Sequence, residues 1–546
     1  MLAFHRRMPL TADASPSVSM ERGTYRMRAP HTKTTVSPID FSKAKEQRAD
    51  RHPKHRQQDS LNRNFSILLV ILALGSFSCF GAAYYLFSTR WALWHDPTTL
   101  ADGGSASKAR VPQSHLADTS AHLSTALRRG ERFLAYLPHS GFHNQRIAFE
   151  NALILARLLN RTLLAPPVHL SKKPTRYLQF NTLFRALSLS GREGLRHCPT
   201  IPSYLPVALE CLHYYDSTTV AWTELFDLSR IEQNQPVLYL EDLSQLGAIH
   251  ASHFSQDKVY FLPDDSPYQY RFRHEHAPAP RRVIKYEEDI PLLALQRIDA
   301  PLIQLGSLFG SQRLLLPSEN ATIDRDVRGQ MVLTHSTLAR SALLIKNSLS
   351  GTYLGAHLRV GDGQFSSNRE HNIMRTWCSL VQALGYSTDD MRRILEHIDA
   401  GWTPLDDTDV CPRSSLESKH SKYMVLESSN LPLRCKHPHA LGSGFHGLNT
   451  PLFISTDVKH PRSQPSLLPL FQTFPCSFVL ADFPRELRLI QPLVNPRDGI
   501  GLYSFFLPFL DAMVVSQAAF VVGTEGSTFS RYIVTTLWPT YQLAMV

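Results

Sequence analysis

Apolar residues 133–137 form a run of strand length that breaks at Pro138 and passes through a short loop containing Gly141. The spacing then becomes helical: Ile147, Ile154, Leu155 and Leu158 fall at i, i+7, i+8 and i+11, one apolar face interrupted by Asn151. A second short run, residues 162–165, stops at Pro166 and Pro167. The pattern predicts strand, helix, strand. In such a unit the first loop feeds a helix N-terminus, where unpaired N–H groups and the helix dipole attract an anion. That loop carries His139, Ser140, His143, Asn144, Gln145 and Arg146, more polar chemistry than a connection needs. The plainer reading is that Asn144 and Gln145 cap the helix while the histidines face solvent.

The second half of the chain alternates more regularly. Strands are predicted within 351–359, at 451–455, at 477–481 and at 519–522. Helical spacing covers 332–350, 499–515 and 527–538, with Pro508 expected to kink or split the middle one. Alternation of this kind argues for parallel sheets covered on both faces, with ligands bound beyond the carboxyl ends of the strands. Residues 170–270 pattern poorly and read as an irregular remainder. Residues 271–290, with alternating charge and no period, read as an exposed loop.

Ahead of all this, residues 65–87 contain no charged side chain. At about 1.5 Å per residue they span roughly 35 Å, enough for a bilayer core. Residues 1–64 hold 13 Lys and Arg against 6 Asp and Glu, most of the chain's net charge of +10. The positive-inside rule accounts for that excess better than a nucleic-acid-binding arm does, so no nucleic-acid partner is expected. The expected order is a disordered basic cytosolic tail (1–64), a signal anchor (65–87), a stem (88–130) and two globular domains (131–350 and 351–546). Six cysteines follow the span, an even number suited to an oxidising compartment, and Cys198 with Cys211 is the most plausible local bridge. No CxxC pair occurs, which argues against zinc. Sequons at Asn160 and Asn320 suit the secretory pathway, although Asn160 also fits a helix C-cap.

Chemistry gathers at the predicted strand ends. His357 and Arg359 share one face of a strand and close on Asp362. An arginine there suits a diphosphate, since its planar fork makes paired charge-assisted bonds; the alternative is a loop staple to Asp362. Ser527 and Thr528 open a helix and can donate to a phosphate, or simply cap it. Asp457, after a strand, can accept from a guanine, or merely turn the chain.

GFHNQR (141–146), HLR (357–359) and GTEGSTFS (523–530) resemble, in this order, the motifs of the GDP-fucose protein O-fucosyltransferase family. The resemblance implies an α/β architecture of two Rossmann-like domains facing across a cleft (GT-B) and a metal-independent, inverting transfer from GDP-fucose to a protein or glycan acceptor. It places Arg359 on the β-phosphate, His357 and Asp362 beside the nucleotide, and Asp457 of FISTD (453–457) on guanine. Ser527, Thr528 and Phe529 would hold diphosphate and base, Gly141 and Arg146 of the first loop would bind substrate, and Asn144 would lie by the reacting centre. No cofactor or metal is implied. For a proton acceptor His143, His139 and Glu525 compete, because His143 stands where some relatives have a carboxylate. Two other readings stay open. One is a metal-dependent transferase using Asp407 and Asp409, or Asp324 and Asp326; the other is a non-catalytic, membrane-anchored binding protein. Location is expected in the Golgi or endoplasmic reticulum, with the catalytic part luminal.

Overall fold

The computed structural model describes residues 18–20, 23–25, 115–202, 204–277, 285–350, 352–361, 363–398, 411, 435–440 and 442–543. The expected span at 65–87, most of the tail, and Asp362, Asp407 and Asp409 lie outside the described residues. Among the described residues no helix is long and apolar enough to cross a membrane. Within the tail, where disorder was expected, Val18–Met20 pairs antiparallel with Gly23–Tyr25. Val, Thr and Tyr there favour extended backbone.

The stem expected to reach residue 130 gives way earlier to a docked helix, α1 (His115–Arg128). Its Leu123 is fully buried, with Ala126 and Leu127 packed on the same core. That i, i+3, i+4 triplet is why a segment otherwise rich in small polar residues folds against the domain.

Five parallel strands form the front sheet: β1 (Phe133–Ala135), β2 (Thr162–Ala165), β3 (Val237–Tyr239), β4 (Val259–Leu262) and β5 (Leu302–Leu305), in the order β3-β2-β1-β5-β4. The segment at 170–270 is therefore not an irregular remainder, since it supplies two of these strands. Helix α2 (Phe142–Leu158) covers the sheet through Ala148, Phe149, Ala152, Leu153 and Leu155, all buried. Residues 271–290 also depart from expectation. Tyr270–Arg273 and Glu288–Pro291 pair in parallel within a small second sheet, and the buried Arg271 is neutralised by Asp289.

Helices α3 (Ala321–Gln330) and α4 (Ser336–Ser348) lead to the rear sheet, whose strands are β6 (Leu354–Leu358), β7 (Leu452–Thr456), β8 (Ser477–Phe478) and β9 (Phe520–Gly523). All pairs are parallel, in the order β8-β7-β6-β9. Helix α5 (Arg369–Ala383) covers one face and α6 (Tyr503–Ser516) the other. Pro508 does not split α6, which runs unbroken from Tyr503 to Ser516. Both Pro508 and Ser504, whose carbonyl loses its helical donor, are exposed residues. The last helix opens with α7 (Thr528–Tyr532).

Both sheets turn about their first strand. Strand order reverses beside β1 and beside β6, and a crevice opens at the carboxyl ends of such strands. The loops after β1, β6 and β9 are the ones carrying the three sequence motifs. One hydrophobic core runs through both halves: α4, before the expected boundary near Gly351, packs on α6 of the rear sheet.

Six cysteines pair as Cys198–Cys211, Cys378–Cys411 and Cys435–Cys476. The first is the bridge expected from spacing.

Candidate functional site

On leaving β1 the chain places His139 inside the protein rather than in solvent. Its ring nitrogens lie 2.7 Å from Ser140 Oγ and 2.6 Å from Ser307 Oγ. Burial, then the nearby Arg313, pushes its pKa down to about 3, so the ring is neutral and a poor proton acceptor. Gly141 occupies the cap position of α2 in extended conformation, and no side chain caps this helix. Gln145 instead ties the loop inward: its carboxamide donates to the Ser140 and His169 carbonyls and accepts from His169 N–H at 2.9 Å. Asn144 does not cap either. Half-buried in the first turn, it makes no side-chain hydrogen bond among the described residues.

Arg146 is buried and committed to the fold. It ion-pairs with Glu150 and lies 4.0 Å over the Tyr532 ring. Glu150 also takes Arg328 at 2.8 Å, which in turn reaches Asn151. Asn151, the polar interruption in the apolar face, donates to the carbonyls of Leu308 and Gly310. Burial outweighs both arginines and raises the Glu150 pKa.

The rear sheet meets this helix through aromatic contact. Phe529 of α7 lies 5.5 Å from the His143 ring and 5.2 Å from the His357 ring, centroid to centroid. His357, on β6, also meets Ser530 Oγ at 2.7 Å. Burial and Arg359 lower its pKa to about 3. His143 is likewise held well below the usual range, chiefly by burial and Arg146, although a hydrogen bond to the Thr528 backbone favours its protonated form. Both are neutral rings at working pH.

Arg359 follows β6 directly. Its backbone N–H donates to Thr524 Oγ1 at 2.9 Å, and its Nε lies 3.2 Å from Asp457 Oδ2. Asp457 also accepts from the backbone N–H groups of Val360 and Gly361 at 2.9 and 3.0 Å. Both of its oxygens are thus engaged in holding the arginine and its loop. The β9–α7 turn needs its glycines. Gly526 adopts φ +76°, and a Cβ on Gly523 would stand 2.8 Å from that of Ser530. Ser527 spends its hydroxyl on the cap, accepting from Ser530 N–H at 3.2 Å. The Thr528 hydroxyl, one residue on, has no partner among the described residues.

The structure therefore brings His143, His357, Phe529 and the start of α7 together, with Arg359 and Asp457 at the same sheet edge. It leaves Arg146 in the interior. Thr524, Ser530 and Tyr532, which support these groups, carried no signal of their own beyond lying in or beside a motif. Among the other proton acceptors considered, Glu525 is exposed and ion-paired with Arg375. Asp324 and Asp326 sit two apart on α3, so they diverge around the helix, and Asp324 pairs with Arg328. His197 lies near Cys198 and Cys211, but those sulfurs are bonded to each other and offer no thiolate. Asn160 is exposed at φ +50°, the left-handed C-cap position, and Asn320 is half-buried at the start of α3.

No protein-family model matches the chain. A stretch of 39 residues is 59% identical to O-fucosyltransferase 30 of Arabidopsis thaliana, covering 7% of this chain and 8% of that relative. Among solved structures the chain is similar to POFUT1 in complex with GDP, at 12% identity over 74% of this chain and 94% of that one, TM-score 0.32. It is also similar to POFUT1 in complex with GDP-fucose, at 11% identity over the same shares, TM-score 0.30. At such scores the fold description rests on this chain's own topology. The motif likeness and the name of the curated relative agree on O-fucosyltransferases.

Proposed function

We propose that the chain is an inverting, GT-B-type O-fucosyltransferase that moves fucose from GDP-fucose to a hydroxyl of a protein or glycan acceptor in the secretory pathway. The division into domains at 131–350 and 351–546, and luminal placement behind a span at 65–87, belong to the same proposal. One observation carries it: Arg359 leaves the turning strand of a parallel sheet, fixed by Asp457, on the edge where the Thr528 hydroxyl, without a partner among the described residues, opens a helix. As the acceptor oxygen attacks the anomeric carbon, negative charge builds on the departing GDP. The Arg359 guanidinium and the Thr528 hydroxyl are preset donors for that charge, the role a divalent ion plays elsewhere.

His357 and Phe529 form an uncharged wall beside the nucleotide, His143 packs against it, and Asn144 presents its carboxamide to the sugar or acceptor. Neither histidine is suited to take the acceptor's proton, because a depressed pKa makes each a weak base. The proton leaves late, towards the departing phosphate or solvent. The test is calorimetric titration of the chain with GDP, UDP and CMP, with and without EDTA, followed by transfer from GDP-fucose. GDP preferred and indifferent to EDTA is the expected result. Preference for UDP, or loss of transfer on chelation, would overturn the donor or the metal-free reading respectively.

A further inference from the structure

On the far half of α2 a cavity of about 210 Å³ opens between that helix, the short helix Ser229–Glu232 and α3. Its polar lining comes from Arg157, Arg230, Asn234, Gln235, Asp326 and Gln330. Arg157 lies thirteen residues beyond Asn144, roughly 20 Å along the helix axis. The cavity also borders the segment leading into β3, so it sits at the amino end of the front sheet, away from the edge that carries Arg359.

Of the groups lining it, Gln235 is committed, its carboxamide donating to the Arg161 and Pro236 carbonyls. The side chains of Arg157, Arg230 and Asp326 make no hydrogen bond or ion pair among the described residues. Gln330 Oε1 is buried there without a partner. Asn234 uses its N–H on the Arg230 carbonyl, leaving its own oxygen available as a further acceptor. Two guanidinia against one carboxylate leave a single positive charge in the lining. That balance fits a monoanion better than a dianionic phosphate.

We infer that this cavity is a binding site for an acidic monosaccharide, free or as a residue of a glycan. The sugar's carboxylate is taken by Arg157 and Arg230, and its hydroxyls donate to Asp326 and Asn234. The volume falls below the range for drug-sized ligands and leaves room for one sugar ring. The site is independent of the nucleotide reading, because GDP affinity is followed separately.

The test titrates the full chain, in detergent, with glucuronate, glucose and acetate by calorimetry. Glucuronate is expected to bind at one site, at least tenfold more tightly than glucose, which lacks the charge, and than acetate, which lacks the hydroxyls. Arg230→Ala, an exposed position, should weaken glucuronate tenfold or more and leave GDP affinity unchanged. No glucuronate binding, equal binding of acetate or glucose, or binding unaltered by Arg230→Ala would overturn the assignment.

Discussion

Arg359 Nε lies 3.2 Å from Asp457 Oδ2, and that carboxylate is itself anchored by the N–H groups of Val360 and Gly361. The guanidinium is thus aimed by a group tied to backbone rather than left to sample rotamers in water. Arg359→Ala should reduce the transfer rate by roughly 10²-fold or more, since donors preset for a leaving group are worth several kcal/mol. Asp457→Asn keeps an acceptor for the loop and only loosens the aim, so a smaller loss, about tenfold, is expected. Single-turnover transfer alongside thermal melts measures both; equal losses in the two variants would count against a positioning role for Asp457.

Asn144 offers a cleaner separation of activity from stability. Its carboxamide has no partner among the described residues, so Asn144→Ala should alter unfolding free energy by no more than about 0.5 kcal/mol. Transfer should nevertheless fall at least tenfold, through a hydrogen bond made only with ligand. A variant that melts early and transfers normally would reverse this assignment.

The Cys198–Cys211 bridge closes a loop of 13 residues and packs with Tyr214 and Ile500. Constraint of the unfolded chain by a loop of that size is worth about 3 kcal/mol. Replacing both cysteines with serine should lower stability by about that amount in denaturant titrations. GDP affinity should be nearly unchanged, because the bridge touches none of the residues at the rear sheet edge.

Asp264 is buried after β4. Its Oδ2 accepts from Ser307 N–H at 2.8 Å, its Oδ1 has no partner, and burial raises its pKa to about 6. The folded value exceeds the unfolded one of 3.8, so between about pH 4 and pH 6 the unfolded chain gives up this proton first. Stability due to this group therefore falls as pH rises through that window and is level above it. Asp264→Asn should stabilise the protein on the order of 3 kcal/mol at pH 7.5 and have little effect at pH 3.5. Denaturant midpoints at the two pH values decide it, and equal shifts would refute the burial argument.

Much of the scaffold was legible where periods were clean. The switch from apolar run to 3.6-residue spacing located β1, α2 and β2, and strand-end reasoning singled out Arg359, His357 and Thr528. The front sheet's outer strands were not legible, since Val237–Tyr239 and Val259–Leu262 are three and four residues long and only partly buried. Arg271 looked like loop because its partner, Asp289, is 18 residues away. The supports of the site hid for the same reason. Thr524 reaches Arg359 N–H across 165 residues of sequence, and Asp457 reaches Val360 across 97. Arg146 misled in the opposite sense: a cation in a polar loop suggested a ligand contact, whereas Glu150, one helical turn on, claims it.

Phe142, first residue of α2, rests 4.4 Å from Phe509 of α6, ring centre to ring centre, and stacks on Phe226. The helix that presents His143 and Asn144 is in this way bolted at its tip to the opposite half of the molecule. On the proposed function, spacing between the sugar side and the phosphate side would then persist as ligands come and go. Selectivity under such a regime comes from which molecules fit a standing gap, rather than from jaws that shut around them.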